Sequence, residues 1–233
     1  LAMHRDRRLA AFTAANVDGG AAQTPEPDRP YSRKGLAGLG RHDHEKWFCD
    51  PRIDRAHQLP DVFFTKDDQA FDRGHLVRRQ AVTWGRTYAD VQRANGDTFH
   101  TTNCSPQVKG FNRSNLGGIW GRLENMIFAQ ADTERLIVLA GPVLDPSDRV
   151  FLGLDDLGRV RVQIPARYWK VIVAQTDDGL RVFPFLLEQD LSDVPLEFQV
   201  NADWRSRLTT LRAIEAATRI VTFPPALHDA PGA

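Results

Sequence analysis

The chain has 233 residues, 42% of them hydrophobic and 26% charged, with 30 Lys/Arg balancing 30 Asp/Glu. This composition excludes a disordered chain and allows one substantial buried core. No apolar run approaches the roughly 20 residues needed to cross a bilayer, so a membrane partner is not expected.

In chain order, Arg8–Val17 reads as a buried strand that ends at the Asp18-Gly19-Gly20 turn. Residues 19–44, rich in Gly, Pro and charge, read as a long surface loop, and Trp47–Arg52 as an ordered anchor after it. Val62-Phe63-Phe64 and Phe71 lead into Asp72-Arg73-Gly74-His75. Thr87–Ala94 makes a short helix stopped at Asn95-Gly96, and Thr98–Asn103 is polar but capable of a strand. After the Asn115–Gly118 turn, the spacing of Ile119, Leu123, Met126 and Ile127 predicts an amphipathic helix to about Asp132. Leu136–Val143, Val160–Ile164, Tyr168–Gln175 and Leu180–Leu187 are strands, the last two joined by a Thr176-Asp177-Asp178-Gly179 hairpin. Asp203 is placed to cap a helix carrying Trp204, Leu208, Leu211, Ile214 and Ala217, and a frayed tail follows Pro224-Pro225. The expected class is α+β: one domain over residues 1–233 with a mixed, largely antiparallel central sheet flanked by helices.

Charge is unevenly spread. Residues 72–122 hold eight Lys/Arg against three Asp/Glu, whereas residues 1–71 hold eleven of each and residues 123–233 eleven against sixteen. A basic island of this kind suits a nucleic-acid partner, but chance clustering on a solvated face produces it too. Cys49 and Cys104 form no CxxC pair. Free thiols in a reducing compartment, the cytoplasm for instance, are slightly favoured over a single bridge in a secreted protein. Strand-like sequence begins almost at Leu1, which suggests a domain cut from a longer chain with something ahead of it.

The central stretch carries the chemistry. His75 can take a proton from water near neutral pH, and Arg73, two residues earlier, shares its side of a strand. A base and a guanidinium in one cleft suit an anionic phosphodiester. His75 is one of seven histidines, however, and Asp72 and Arg73 could pair with neighbours instead. Asn112 and Glu124 are hard oxygen donors suited to magnesium. They also fit a turn residue and a solvated helix residue, and composition does not choose between these readings.

The ordered series chooses. Trp47 and Asp50-Pro51 precede Asp72-Arg73-Gly74-His75; Asn103, Pro106-Gln107, Asn112 and Trp120-x-x-Leu123-Glu124 follow; then Gly141-Pro142, Ile164-Pro165, Tyr168-Trp169-Lys170-Val171 and Phe185-Leu186-Leu187. Over most of residues 47–188 the chain resembles the DNA/RNA non-specific endonucleases, nucleases with a ββα-metal (His-Me) finger. The resemblance implies His75 as general base, Asn112 as the one direct protein ligand of Mg2+ (with Mn2+ as a substitute), and Glu124 as holder of the metal's water shell. It further implies Arg73 on the phosphate, Asn103 as a positioning residue, a structural Asp72, and Arg78, Arg79, Arg113 and Arg122 as clamps on the nucleic acid. The substrates would be DNA and RNA, cut to 5′-phosphate and 3′-hydroxyl ends; a homodimer is compatible with all of this.

Two departures stand out. Asn112 precedes Trp120 by eight residues, twice the usual family spacing, so residues 114–118 read as an insertion and Asn115 becomes the rival ligand. Secreted members carry an arginine two residues before the Trp; here that residue is Glu45, leaving Lys46 or Arg41 to substitute, or the contact missing. A binding module that lost cleavage is disfavoured because His75, Asn112 and Glu124 are all present. An interaction domain for an acidic partner leaves the motif series unexplained.

Overall fold

The computed structural model describes residues 1–18, 20–66, 70–131, 136–196 and 206–229. They fall into two units, Leu1–Leu196 and a C-terminal unit from Glu197, each taken by itself below. The strands are β1 (Ala2–His4), β2 (Leu9–Val17), β3 (Asp72–His75), β4 (Cys104–Gln107), β5 (Leu136–Pro142), β6 (Val150–Asp155), β7 (Gly158–Gln163), β8 (Arg167–Thr176) and β9 (Gly179–Glu188). The helices of the first unit are α1 (Arg33–Leu36), α2 (Asp61–Thr65), α3 (Arg79–Val82), α4 (Tyr88–Asp97), α5 (Lys109–Asn112) and α6 (Ile119–Gln130).

Period-two alternation builds the central sheet. Along β8, Tyr168, Lys170, Ile172 and Ala174 are buried, and Leu136, Val138 and Ala140 of β5 lie on the same face through the antiparallel register. The five strands run in the order β1-β2-β5-β8-β9, all antiparallel. The expected α+β class with a largely antiparallel sheet is therefore borne out, and the hairpin at 176–179 forms as expected. α6 covers the buried face: Leu123 and Ile127, one helical turn apart, pack with Val17, Val138, Ile172 and Ala81 of α3. Each such side chain contributes roughly 1.5–3 kcal/mol of burial. The outer face leaves Phe12, Ile137, Val182 and Leu186 exposed.

β3 and β4 form a separate antiparallel pair, with Gly74 opposite Ser105 and His75 opposite Cys104. Together with α6 they make a strand, strand, helix unit. Its core joins Leu76, Phe111 and Trp120 to Ala140 and Tyr168 of the central sheet. A second cluster, centred on Phe63, Phe64, Phe71 and Phe151, supports the other side of β3.

Several local expectations change. α4 begins with a Thr87/Asp90 capping box but runs through Asn95-Gly96 to Asp97, because Asn95 is buried and bonded to Arg79 rather than free to turn. Residues 101–103 form a 3-10 turn, with β4 starting only at Cys104, since the Asn103 side chain is engaged with the backbone of Val77 and Thr98. β1, α2 and β6 were not anticipated. In the C-terminal unit, α7 (Leu211–Thr218) is capped by Thr210; the expected cap Asp203 and Trp204 lie outside the described residues. The segment after Pro224 is not frayed throughout: α8 (Pro225–His228) returns His228 to within 3.1 Å of Glu215 on α7. No helix among the described residues is long and apolar enough to cross a membrane.

Gly74 shows why β3 tolerates no side chain in its middle. A Cβ there would lie 2.2 Å from Oε1 and 2.5 Å from Cγ of the fully buried Gln107. Gly74→Ala should destabilise the fold by about 1–3 kcal/mol through overpacking. Gly96→Ala, whose Cβ would meet nothing within 4 Å inside α4, should be neutral or stabilising. Denaturant unfolding of both variants checks this; equal stability of Gly74→Ala and wild type would show that Gln107 yields freely.

Candidate active site

His75 ends β3 at the mouth of a cleft made of two adjoining hollows of about 360 and about 520 Å³. Both hollows share Arg33, His75, Asn112 and Arg113. Glu124, Arg78, Arg79 and Asn115 line the first, and Arg73 and Asp72 line the second. The alternation that put Arg73 and His75 on one side of β3 thus delivers both to the same place.

An aromatic floor holds the histidine. Trp47 lies 4.8 Å from the His75 ring and 5.1 Å from Phe99, which also reaches His75 at 6.3 Å. The anchor carrying Trp47 is fixed because Phe48 exchanges backbone hydrogen bonds with Phe99 and Thr101. Although His75 keeps some exposure as a residue, its Nε2 is covered and has no hydrogen-bond partner among the described residues. Burial, and then the positive charges of Arg33, Arg79 and Arg78, push its pKa from 6.5 down to about 3. The ring is therefore neutral at physiological pH.

Trp120 of α6 donates its indole N–H to the His75 carbonyl at 3.1 Å, tying the helix to the strand. One turn further along α6, Glu124 accepts from Lys170 Nζ at 2.8 Å, and that ammonium sits 3.9 Å from the Trp120 ring centroid. Lys170 is fully buried; desolvation lowers its pKa and Glu124 opposes that shift. This ion pair fixes one Glu124 oxygen and was not anticipated from the sequence.

Asn112 ends α5. Its Nδ2 donates to Asp72 Oδ2 at 2.9 Å, while Arg113 makes two bonds to the same carboxylate at 2.7 and 2.6 Å. Because a carboxylate accepts and does not donate, the amide nitrogen must face Asp72, leaving Oδ1 as a free donor to a cation. Asp72 also raises the pKa of Arg113. The residues between Asn112 and Trp120 fold into a compact 3-10 turn at Ser114–Leu116. α6 then approaches so closely that a Cβ on Gly121 would lie 2.4 Å from the Asn112 carbonyl oxygen. Residues 114–116 thus turn compactly while Asn112 stays against α6.

The other expected residues divide. Arg73 binds Asp61 through Nε and lies over the Trp47 ring. Arg78 bonds Asn125, and Arg79 bonds Asn95, with burial and Arg33 lowering the Arg79 pKa. Asn103 is buried behind the cleft, where its side chain exchanges two 3.0 Å bonds with the Val77 backbone and so shapes the turn after His75. Arg122 is exposed on α6 and is not among the residues lining the cleft; nor are Lys46 and Arg41. Arg33, from the stretch read as loop, is.

Among the described residues no three His, Cys, Asp or Glu side chains converge into a metal cage. The hard-oxygen side chains lining the cleft include the Asn112 and Asn115 amides and the Glu124, Asp72 and Glu45 carboxylates. That set fits an ion of the magnesium type, which keeps most of its waters, and does not fit a Cys/His zinc site.

The His75 pKa sets a pH dependence. Above about 6.5 the ring is neutral in both folded and unfolded chains; below it the unfolded chain takes up a proton that the fold refuses until about pH 3. This contribution to stability is therefore complete above pH 6.5 and declines as the pH falls toward 3. NMR titration of the His75 ring should show it neutral at pH 5; a midpoint near 6.5 would contradict the burial argument.

Comparison with known proteins identifies the family. Residues 1–230 match the profile of the DNA/RNA non-specific endonuclease family. The chain is 34% identical over 201 residues to the uncharacterized protein y4fB of Sinorhizobium fredii, covering 82% of this chain and 26% of that one. It is 25% identical to mitochondrial endonuclease G of Homo sapiens, covering 82% and 61%, and 30% identical to the mitochondrial nuclease EXOG of Danio rerio, covering 70% and 46%. The chain spans between about a quarter and three fifths of the length of these relatives. The match across nearly its whole length establishes that the chain belongs to the DNA/RNA non-specific endonuclease family.

Proposed function

We propose that the domain is a magnesium-dependent endonuclease that hydrolyses phosphodiester bonds of DNA and RNA without regard to sequence, with Mn2+ as a substitute metal. The observation that carries this reading is the convergence of His75, Asn112 and Glu124 on one arginine-lined cleft. Asn112 Oδ1 would bind the metal, and Glu124, held by Lys170, would accept hydrogen bonds from its water shell. The chemistry supplied by a bound magnesium ion is charge neutralisation at the phosphate and at the leaving 3′ oxygen.

His75 takes the proton from the attacking water. In the free domain it is a weak base because burial, and then three guanidinium charges, oppose its protonation. A bound phosphate offsets the share of that shift that comes from the arginine charges. Arg73 contacts the phosphate, and Arg78, Arg79 and Arg113 border the path of the backbone, with Arg122 farther out. Such contacts read phosphate and sugar but not bases, which accounts for activity on both nucleic acids. The products carry 5′-phosphate and 3′-hydroxyl ends. A homodimer is compatible with this activity.

Plasmid DNA and total RNA incubated with the protein and magnesium should both be degraded, and a chelator should stop it. His75→Ala should lower the rate by at least about a hundredfold, the scale of general-base catalysis. Asn112→Ala should cost more than Asn115→Ala. Absence of cutting by wild type removes the proposal; severe loss in Asn115→Ala alone reassigns the metal ligand.

A further inference from the structure

The aromatic floor beneath His75 carries two guanidiniums, and only one of them lies in a motif. Arg73 sits over Trp47 with its Cζ 5.6 Å from the ring centroid, and Arg33 sits over Phe99 at 5.2 Å. Trp47 and Phe99 touch each other, and both touch His75. The arginines are held alike: Arg73 gives its Nε to Asp61, and Arg33 gives its Nε to Glu45. In both, the two terminal nitrogens make no hydrogen bond among the described residues. Arg113 differs, spending Nε and Nη2 on Asp72. We propose that Arg33 is a second phosphate clamp, gripping the nucleic-acid backbone on the Phe99 side of His75 as Arg73 does on the Trp47 side. The proposal rests on the nuclease reading above.

Three features argue for it. Arg33 lines both hollows of the cleft, which Arg73 does not. Its side chain is 48% exposed while Glu45 is 17% exposed, so the carboxylate anchors one edge and leaves the fork open. A guanidinium held by Nε alone keeps a planar pair of donors that matches two phosphate oxygens. The segment carrying Arg33 is also fastened to the body. Ser32 caps α1, Tyr31 packs edge-on against Tyr88 at 5.4 Å, and Glu26 accepts from the Tyr88 N–H. Arg33 therefore reaches the cleft from a docked arm. Glu45 thus orients an arginine supplied from elsewhere in the chain. The rival cations Arg41 and Lys46 do not line either hollow.

The test uses the full chain with magnesium and linear duplex DNA, comparing wild type, Arg33→Gln, Arg33→Lys, Arg33→Gln/Glu45→Gln and Arg41→Ala. Circular dichroism checks that each variant is folded. Arg33→Gln should lower kcat/KM on the order of ten- to a hundredfold, the scale of one charge-assisted hydrogen bond. In the catalytically silent His75→Ala background, it should reduce the slope of log K against log salt by about 0.9, the share of one neutralised phosphate. A purely structural arginine would leave that slope unchanged. Arg33→Lys should keep the slope, and Arg41→Ala should match wild type in both readouts. The double variant separates loss of the guanidinium from release of the Glu45 charge: the deficit should persist in it, and full recovery would overturn the proposal. An unchanged slope and kcat/KM in Arg33→Gln, with wild type active, overturns the Arg33 assignment alone. A wild type that neither cuts nor binds overturns the nuclease reading and this assignment together.

Discussion

The hydrogen bond from the Trp120 indole to the His75 carbonyl is the interaction on which the site depends. It fastens the end of β3 to the first turn of α6, so the histidine and the acidic helix face keep a fixed separation. Trp120 is itself locked by Phe111 and Tyr168, with ring centroids 5.8 and 5.7 Å away. The Tyr168 hydroxyl donates to the Pro106 carbonyl and is bonded to Ser105, reaching from β8 into β4. One aromatic junction thus links the central sheet, the β3–β4 pair and the helix. Such a junction is rigid because close-packed interiors offer no continuous way to deform.

Charge follows the same economy of placement. Nearly every ionic group of the cleft is tethered on one side: Arg113 to Asp72, Arg73 to Asp61, Arg33 to Glu45 and Glu124 to Lys170. The pairs near the surface add little stability, since water screens them. Their effect is orientation. The buried Lys170–Glu124 pair is of another kind: desolvation lowers the Lys170 pKa, and the neighbouring Glu124 carboxylate opposes that shift. Lys170 also meets the Trp120 ring, so the electrostatic and aromatic parts of the site meet at one ammonium.

The basic island of residues 72–122 resolves into these separate duties. Arg78, Arg79 and Arg113 border the cleft, Arg122 points elsewhere on α6, and the guanidinium nearest in character to Arg73 comes from outside the island altogether. A count of charge along the chain could not show this, because the folded chain sorts charges by proximity in space.

The residues that meet in the cleft, and the class of fold that holds them, could be read from the sequence. Alternation along 136–142 and 167–188 determines strands, the 3.6-residue spacing from Ile119 determines the helix, and Asp72 to His75, Asn112 and Glu124 are recognisable by residue type and order. These are local signals, fixed by backbone periodicity and side-chain chemistry. Only the tertiary structure decided which neighbours control those residues. Arg33 lies 42 residues before His75 in a stretch with no periodicity, and Lys170 lies 46 after Glu124 on a strand whose pattern marks that position simply as buried. The β4 boundary moved for the same reason, because the Asn103 side chain found its partners in the chain near Val77. Contacts between segments far apart in sequence have no period to announce them; packing alone selects them.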